Sequence, residues 1–365
     1  MTKTGATFLT EQSFDIEKLT SVLKNTKIKN NHDKKILESV IKSFSNNDHS
    51  LLTSQQVFFL KNHDEDQWAD YLIFRYKFTN FPKNRTLSEF PNHLVIEPVS
   101  ACNIRCVMCF QIDETFSKNQ DYMGMMDIDL FKKIIDNAYE VGIKAVTLTG
   151  RGEPTLHPKI GEMLKYCSGK FFELKMNTNA TKLNEKLIHE ILACDMTDLV
   201  FSVDSYQKTK YESIRVGGIF ENIFNNIKKF SEIKKSEYPK SNCATRISGV
   251  KIEKNLDVSK FKEFWKPYVD HVVLVDCDLK WDTYNNSKND AGKGPCDYLW
   301  GEMNVWYDGF CNPCDVDYKS QLKVGSLLKN TISEVWKGKE YQKFRKLHLS
   351  NSRDKCSPCD RCPLW

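Results

Sequence analysis

Three closely spaced cysteines carry the clearest chemistry in the chain. The segment SACNIRCVMCFQ contains Cys102, Cys106 and Cys109 with the spacing C-x3-C-x2-C. Three thiolates from one loop can hold three corners of a four-iron cluster and leave the fourth iron open to an outside ligand. Zinc is the alternative, but structural zinc usually takes four protein ligands in paired short spacings, and no fourth ligand is evident near this triplet. The triplet therefore predicts an iron–sulfur site with an open iron.

A glycine-rich segment, TGRGEPTLHP, follows the second predicted strand. Gly150 and Gly152 suit a place where backbone approaches a ligand closely, because glycine has no Cβ. The carboxylate of Glu153 suits an ammonium group, since charge-assisted hydrogen bonds are strong. An ordinary Gly/Pro turn after a strand is the alternative interpretation.

A second group of cysteines lies near the end of the chain, where six of the thirteen fall in the last 70 residues. They are Cys296, Cys311, Cys314, Cys356, Cys359 and Cys362. In a reducing compartment, clustered cysteines are better explained by metal binding than by disulfides. Iron and zinc both remain possible for this group. Four isolated cysteines in apolar contexts are typical of buried small hydrophobes: Cys167, Cys194, Cys243 and Cys277.

The elements that must position these residues begin near residue 94, where short β-branched runs alternate with amphipathic helices. Such alternation is typical of βα units with a parallel sheet. The six predicted strands are HLVIEPVS, KAVTLTG, FELKMNT, DLVFSVD, ATRISGVKI and HVVLVD, with five helical stretches between them. The pattern predicts an α/β fold, a partial (β/α)6 barrel of the TIM type. Because such a barrel presents its strand C-termini on one face, the motifs that follow the strands should meet there.

The remaining segments predict three domains. Residues 1–90 contain several short helical patterns and no strand alternation, which predicts an N-terminal helical extension. Residues 91–280 form the predicted barrel. After about residue 278 the periodicity fades into WDTYNNSKNDAGKGP, typical of a linker, so residues 281–365 are expected to form a small cysteine-rich C-terminal domain.

Composition narrows the class of protein. Of the 365 residues 40% are hydrophobic and 28% charged, which is ordinary for a globular protein, and the net charge of +5 is spread along helical stretches. Charge alone therefore gives no reason to expect a nucleic-acid partner. No run approaches the roughly 18 apolar residues of a membrane span, and the start lacks the order of a signal peptide. We therefore expect a cytoplasmic protein without a membrane or nucleic-acid partner.

Taken together, the cysteine triplet, the aromatic Phe110 after it and the Gly-x-Gly-Glu-Pro segment resemble the signature of the radical S-adenosylmethionine (SAM) superfamily. The resemblance implies that the open iron is chelated by the amino and carboxylate groups of SAM. It also implies one-electron reduction of the cluster, cleavage of SAM to a 5′-deoxyadenosyl radical, and hydrogen abstraction from a substrate. Flavodoxin or ferredoxin is the implied type of electron donor.

The resemblance also implies a set of SAM contacts. Phe110 is expected beside the adenine, the Gly150 to Glu153 segment at the amino group, and the polar ends of the third and fourth strands at the ribose and carboxylate. The polar strand-end residues are Asn177, Asn179, Ser202 and Asp204. Arg215 resembles a position that pairs with the SAM carboxylate. Loop caps and an ordinary surface arginine are the alternatives for these last five residues.

The C-terminal segment resembles the SPASM or shorter twitch extension of radical SAM enzymes, which carries auxiliary four-iron clusters. The full SPASM pattern uses seven cysteines for two clusters, and six are present, so at least one auxiliary [4Fe–4S] cluster is expected. The implied ligands are Cys296, Cys314 and two of the three cysteines in KCSPCDRC. Cys311 is an additional candidate, and a second cluster with an open iron stays possible.

Auxiliary clusters of this kind commonly accept an electron from the substrate radical, which implies a net two-electron oxidation. Two substrate classes remain open: a small hydroxylated molecule such as an amino sugar or nucleotide-linked sugar, and a ribosomal peptide or protein side chain. A non-catalytic electron-transfer protein would have no need of the SAM-contact set. The sequence assigns no catalytic acid or base.

Overall fold

The computed structural model describes residues 14–252, 256–276, 283–285, 287–288 and 294–362. The chain divides into two compact units, Met1–Ser88 and Glu89–Trp365. The expected boundary at residues 280 and 281 and the isolated Cys277 lie outside the described residues. The division into three domains therefore stays a prediction.

The first unit is helical in its described part. Its helices are α1 (Ile16–Asn25), α2 (Asn31–Ser45), α3 (Ser54–Asn62) and α4 (Glu65–Lys83). Asp15 and Asn30 cap the first two helices, since their side chains accept backbone N–H groups of the first turn. A capping box formed by Thr53 and Gln56 marks the start of α3.

The second unit is built on a mainly parallel sheet. Its strands are β1 (His93–Ile96), β2 (Arg105–Cys106), β3 (Ala145–Leu148), β4 (Glu173–Thr178), β5 (Asp198–Ser202), β6 (Arg215–Val216), β7 (Ala244–Lys251), β8 (His271–Asp276), β9 (Glu302–Val305), β10 (Phe310–Asn312) and β11 (Gly325–Ser326). Nine strands form one sheet in the order β11-β10-β9-β1-β3-β4-β5-β7-β8, and β2 pairs with β6. The six predicted parallel strands are confirmed, and the sheet does not close into a full barrel within the described residues.

The C-terminal region extends the same sheet. Strand β9 pairs in parallel with the free edge of β1, and β10 and β11 then continue in antiparallel pairs. The cysteine-rich segment is thus attached to the barrel through backbone hydrogen bonds.

Ten helices are described in the second unit, and they include all five of the predicted crossovers. They are α5 (Glu114–Ser117), α6 (Ile128–Val141), α7 (Ile160–Cys167), α8 (Glu185–Ala193), α9 (Lys208–Ile214), α10 (Phe220–Glu237), α11 (Val258–Trp265), α12 (Tyr298–Gly301), α13 (Ile332–Trp336) and α14 (Lys339–Leu349). Asp127 caps the start of α6, and Gly142 ends it with a φ of +93°, a left-handed conformation that favours glycine.

The two faces of the sheet differ in polarity because neighbouring residues of a strand point to opposite sides. Leu174 and Met176 of β4, like Leu199 and Phe201 of β5, are buried in the apolar core with the crossover helices. The isolated cysteines Cys167, Cys194 and Cys243 belong to the same core, as expected. The other face carries polar side chains.

Candidate active site and auxiliary cysteine cavity

The three cysteines of the first motif lie together beyond the C-terminal end of β1. Cys106 sits in β2, and the backbone N–H of Cys109 donates to the carbonyl of Cys106 at 2.9 Å. Burial raises the pKa of Cys102 to about 11 and that of Cys109 to about 12, and the nearby thiols add to both shifts. Cluster binding must therefore displace protons, as thiolate ligation generally does. The donor set fits the three-cysteine site that was predicted.

The glycine segment packs directly against the loop that begins the triplet. A Cβ on Gly152 would lie 2.3 Å from the carbonyl oxygen of Ala101, and one on Gly150 would lie 2.7 Å from Cβ of Glu97. Only glycine fits such approaches without a shift of backbone or buried side chain. The backbone N–H of Glu153 donates to the carbonyl of Ala101 at 3.0 Å. The Gly-x-Gly-Glu segment is therefore fixed beside Cys102.

Glu153 is buried and held by four hydrogen bonds. Its Oε1 accepts from the backbone N–H of Thr155 at 3.1 Å and from the hydroxyls of Thr155 and Thr178 at 2.6 and 2.7 Å. Its Oε2 accepts from the backbone N–H of Asn179 at 2.7 Å. Burial raises the pKa of Glu153, and these hydrogen bonds oppose the rise. A cation placed against Glu153 would therefore stabilise its ionised form.

The polar residues at the ends of β4 and β5 are in different environments. The side-chain amide of Asn179 donates to the oxygen of Asn103 at 3.0 Å and lies 3.8 Å from the sulfur of Cys102. Asn177 and Ser202 are half-buried, and Oδ1 of Asn177 is buried without a hydrogen-bond donor in the described part of the chain. An orphaned acceptor beside the site fits a bound ligand with a hydroxyl or amino group.

Arg215 is not a surface arginine. Strand pairing places it opposite Cys106, its guanidinium lies 3.6 Å from the Cys106 sulfur, and its Nε lies 2.7 Å from Oδ2 of Asp204. Asp204 also accepts from the backbone N–H of Val250 at 2.7 Å. The buried Asp204–Arg215 ion pair thus faces the triplet. Direct contacts of these two residues with SAM stay predictions.

Phe110 is stacked against a residue of the C-terminal region. Its ring lies 4.8 Å from the ring of Tyr318 with an interplanar angle of 14°. The Tyr318 hydroxyl donates to Asp113 at 2.8 Å, and Lys319 forms an ion pair with the same carboxylate at 2.6 Å. The loop after the triplet is therefore held in place by Tyr318, which lies 205 positions after its partner Asp113 in the sequence.

A buried ion pair that the sequence analysis missed joins β1 and β3 to this same segment. The Arg151 guanidinium donates to both oxygens of Glu97 at 2.9 and 2.7 Å, and to the carbonyl of Tyr318 at 3.2 Å. Arg151 also lies over the ring of Trp306 at 4.4 Å. The sequence did offer a signal, which is the charged Glu97 at the end of the apolar run HLVIEP. Because an unpaired buried carboxylate would be costly, Glu97 required a cationic partner.

The C-terminal cysteines divide into two groups. Cys296, Cys314, Cys359 and Cys362 line one small cavity together with Tyr298, Val316, Leu322, Arg353 and Pro358. Burial raises the pKa of Cys296 to about 12, with Cys359 and Cys362 adding to the shift. Four sulfurs around one largely apolar cavity fit a four-iron cluster.

Cys311 lies apart from this cavity. It is fully buried in β10 within the main apolar core, and its sulfur faces the carbonyl of Gly309 at 3.9 Å. The structure therefore does not bring the additional candidate Cys311 to the other five cysteines. Cys356 is buried beside Cys359, outside the lining of the cavity.

Two protein-family models match the two segments of the chain that contain the cysteine groups. Residues 96–264 match the family model of the radical SAM superfamily, and residues 296–363 match SPASM, an iron–sulfur cluster-binding domain. A Pyrococcus furiosus protein described as a tungsten-containing aldehyde ferredoxin oxidoreductase cofactor-modifying protein is 35% identical over 113 residues, 31% of this chain and 30% of the relative. The matches span less than half the length of such curated relatives.

Two solved structures share the fold. SuiB of Streptococcus suis bound to precursor peptide SuiA has a TM-score of 0.53 and 18% identity, covering 83% of this chain and 75% of SuiB. BtrN in complex with AdoMet and 2-DOIA has a TM-score of 0.50 and 16% identity, covering 74% of this chain and 92% of BtrN. At such identities the similarity concerns the fold.

A partial barrel with two cysteine centres defines the chain as an α/β iron–sulfur protein. With both family models matched in the order of its motifs, the chain belongs to the radical SAM superfamily and ends in a SPASM domain. The cofactors of these domains are SAM and [4Fe–4S] clusters. No helix of the described residues is long and apolar enough to span a membrane.

Proposed function

We propose that the chain is a radical SAM enzyme that oxidises a small hydroxylated substrate, such as an amino sugar or nucleotide-linked sugar, by two electrons. When bound, SAM and its cluster supply a 5′-deoxyadenosyl radical that abstracts a hydrogen atom from the substrate. The residues proposed to hold that cluster are Cys102, Cys106 and Cys109. Glu153 would hold the SAM ammonium group, because its carboxylate is already fixed beside Cys102.

The polar face of the sheet is the observation that supports a hydroxylated substrate. Strand pairing aligns Lys175 with Asp198, Val200 with Arg246, and Ser202 with Ser248. Paired residues of parallel strands point to the same side, away from the apolar core. The half-buried polar side chains on this side are Lys175, Asn177, Ser202, Arg246 and Ser248.

Lys175 is the most informative member of this face. Within the described residues its ammonium group makes no hydrogen bond and no ion pair, and burial lowers its pKa, which Asp198 partly opposes. An apolar substrate would leave this ammonium without a partner, at a cost of about 1–3 kcal/mol. A hydroxylated substrate would instead accept a hydrogen bond from Lys175.

The C-terminal cysteines are proposed to hold the electron acceptor of this reaction. After loss of a hydrogen atom and a proton, the substrate radical must give up one more electron. The cavity lined by Cys296, Cys314, Cys359 and Cys362 would hold the cluster that accepts it. A flavodoxin- or ferredoxin-type protein is the proposed donor for the barrel cluster.

The test is anaerobic incubation of reconstituted enzyme with SAM, a reductant and a panel of amino sugars and nucleotide sugars. We expect one substrate to lose two mass units and to increase 5′-deoxyadenosine release above the rate without substrate. If no sugar does either while the barrel cluster and SAM are bound, the substrate class is wrong.

A peptide substrate is the second candidate, and the fold similarity to SuiB bound to its precursor peptide SuiA supports it. A polar peptide side chain would satisfy the same sheet face. The same assay with hydroxyl- and amine-containing peptides separates the two candidates, because only the true class will couple 5′-deoxyadenosine release to product.

A further inference from the structure

Tyr318 is a buried tyrosine of the C-terminal region that packs against the loop after the cysteine triplet, and the proposed reaction assigns it no role. Its side chain is 1% exposed. Its ring is stacked on Phe110 with the ring centres 4.8 Å apart, and it meets the ring of Phe116 edge-on at 5.3 Å. The two phenylalanine rings also meet each other edge-on, at 5.7 Å. Two rings of the loop after the triplet and one ring of the C-terminal region therefore form one packed aromatic cluster.

Polar contacts join the same two segments around this cluster. The hydroxyl of Tyr318 donates to Asp113 at 2.8 Å, and the ammonium group of Lys319 donates to the hydroxyl of Thr115 at 2.8 Å. The carbonyl of Tyr318 accepts from the guanidinium of Arg151 at 3.2 Å. Arg151 lies between the two glycines of the Gly-x-Gly-Glu segment. Tyr318 thus contacts both segments that are proposed to bind SAM.

The loop of residues 314–322 that carries Tyr318, called the auxiliary loop below, also lines the auxiliary cysteine cavity. Cys314, Val316 and Leu322 of this loop face that cavity. The buried carboxylate of Asp317 fixes the loop internally, because it accepts from the backbone N–H of Leu322 at 2.6 Å. Since packed interiors transmit displacement, a shift of Tyr318 would also move the lining of the cavity.

We infer that Tyr318 is a positioning residue for SAM, which holds Phe110 in place and couples the SAM site to the auxiliary loop. Phe110 is the residue proposed to lie beside the adenine, so a ring that fixes Phe110 also fixes that side of the SAM site. Fixing the loop before SAM arrives lowers the ordering cost of binding. By thermodynamic linkage, bound SAM must in turn stabilise the auxiliary loop. The inference rests on the SAM site of the proposed function and not on its substrate.

Three replacements separate the ring of Tyr318 from its hydroxyl and from general packing in the C-terminal region. Tyr318→Phe keeps the stacked ring and loses the hydrogen bond to Asp113. Tyr318→Leu removes the ring but keeps an apolar side chain. Tyr341→Leu is the matched control, because Tyr341 is a buried ring of α14 that packs on Trp336 at 4.9 Å and donates its hydroxyl to the carbonyl of Glu302. Each variant is made in the full chain and reconstituted anaerobically, and its iron content and circular dichroism are measured first.

The first measurement is equilibrium binding of labelled SAM at equal iron content. Loss of an aromatic pair changes an equilibrium constant by about 2- to 12-fold, so we expect Tyr318→Leu to bind SAM more weakly by about that factor. We expect Tyr318→Phe and Tyr341→Leu to bind SAM like the parent. Parental affinity in Tyr318→Leu would overturn the inference. An equal loss in Tyr341→Leu would also overturn it, because it would show that any loosening of the C-terminal region weakens SAM binding.

A second measurement uses the unmodified chain and so does not depend on the folding of any variant. Backbone hydrogen exchange is followed by mass spectrometry in the reconstituted chain with and without SAM. We expect SAM to slow exchange both in residues 110–117 and in the auxiliary loop. Slower exchange in residues 110–117 alone would contradict the coupling through Tyr318. Neither measurement includes a substrate, so a wrong substrate class would leave both results unchanged.

Discussion

Replacement of Glu153 by glutamine tests the proposed SAM site most directly. The side chain keeps its shape but loses its charge. Oε1 accepts from three donors and Oε2 from one, so the new amide group fits best at the Oε2 position, where it faces the backbone N–H of Asn179. The variant therefore loses one hydrogen bond within the protein and the charge-assisted contact to the SAM ammonium group.

The expected loss of SAM affinity follows from the second contact. A hydrogen bond to a charged group contributes about 1.5–3 kcal/mol. With about 1.4 kcal/mol for each factor of ten, SAM should bind roughly 12- to 140-fold more weakly. The affinity is measured anaerobically by equilibrium binding of labelled SAM to enzyme with a full barrel cluster, and 5′-deoxyadenosine release at low SAM should fall in parallel.

A matched control is Glu162→Gln on α7. Glu162 is at the surface, where it forms an ion pair with Lys132 at 2.7 Å. It is not one of the residues proposed to bind SAM or the cluster. This variant should bind SAM like the parent. If Glu153→Gln also binds SAM like the parent while its iron content is intact, Glu153 does not hold the ammonium group and the proposed site is wrong.

Three further predictions concern the clusters and the substrate face. Replacing all three cysteines of the barrel loop by alanine should abolish 5′-deoxyadenosine formation while C-terminal iron remains, and continued nucleoside release would contradict their role. Cys314→Ala should lower the iron content and abolish oxidised product while SAM cleavage persists, whereas Cys311→Ala should keep its iron, because Cys311 lies outside the cavity. Lys175→Met should raise the KM of the substrate and leave SAM affinity unchanged; an unaltered KM would remove Lys175 from the substrate face.

Much of the fold was predictable because its signals are local. The alternation of β-branched runs with amphipathic helices depends on neighbouring residues, and all six parallel strands were found from it. The nine residues of α3 lack a clear apolar stripe, and the Thr53–Gln56 capping box is the local signal for its start. The attachment of β9 to β1 depends on strands about 200 residues apart, which no local pattern reports.

The candidate site was predicted as a set of motifs but not as a network. The glycines, Glu153 and the triplet stand out in the sequence because each motif is short and chemically distinctive. Lys175 in the strand FELKMNT was not predicted as a site residue. Its charge was an available signal, because a charged residue between apolar neighbours in a strand points to the face opposite the core. Arg151, between the two glycines, was not singled out, because its importance depends on the carboxylate of Glu97, 54 positions earlier in the chain.

By itself the sequence determined the class of chemistry, since the spacing of thiols in one loop limits which metal centre can form. It also determined the order of the elements that carry the motifs. Only the tertiary structure decided which C-terminal cysteines share a cavity and that Phe110 stacks on Tyr318. The physical reason is that burial and pairing arise from contacts between distant segments, and those contacts exist only once the chain has packed.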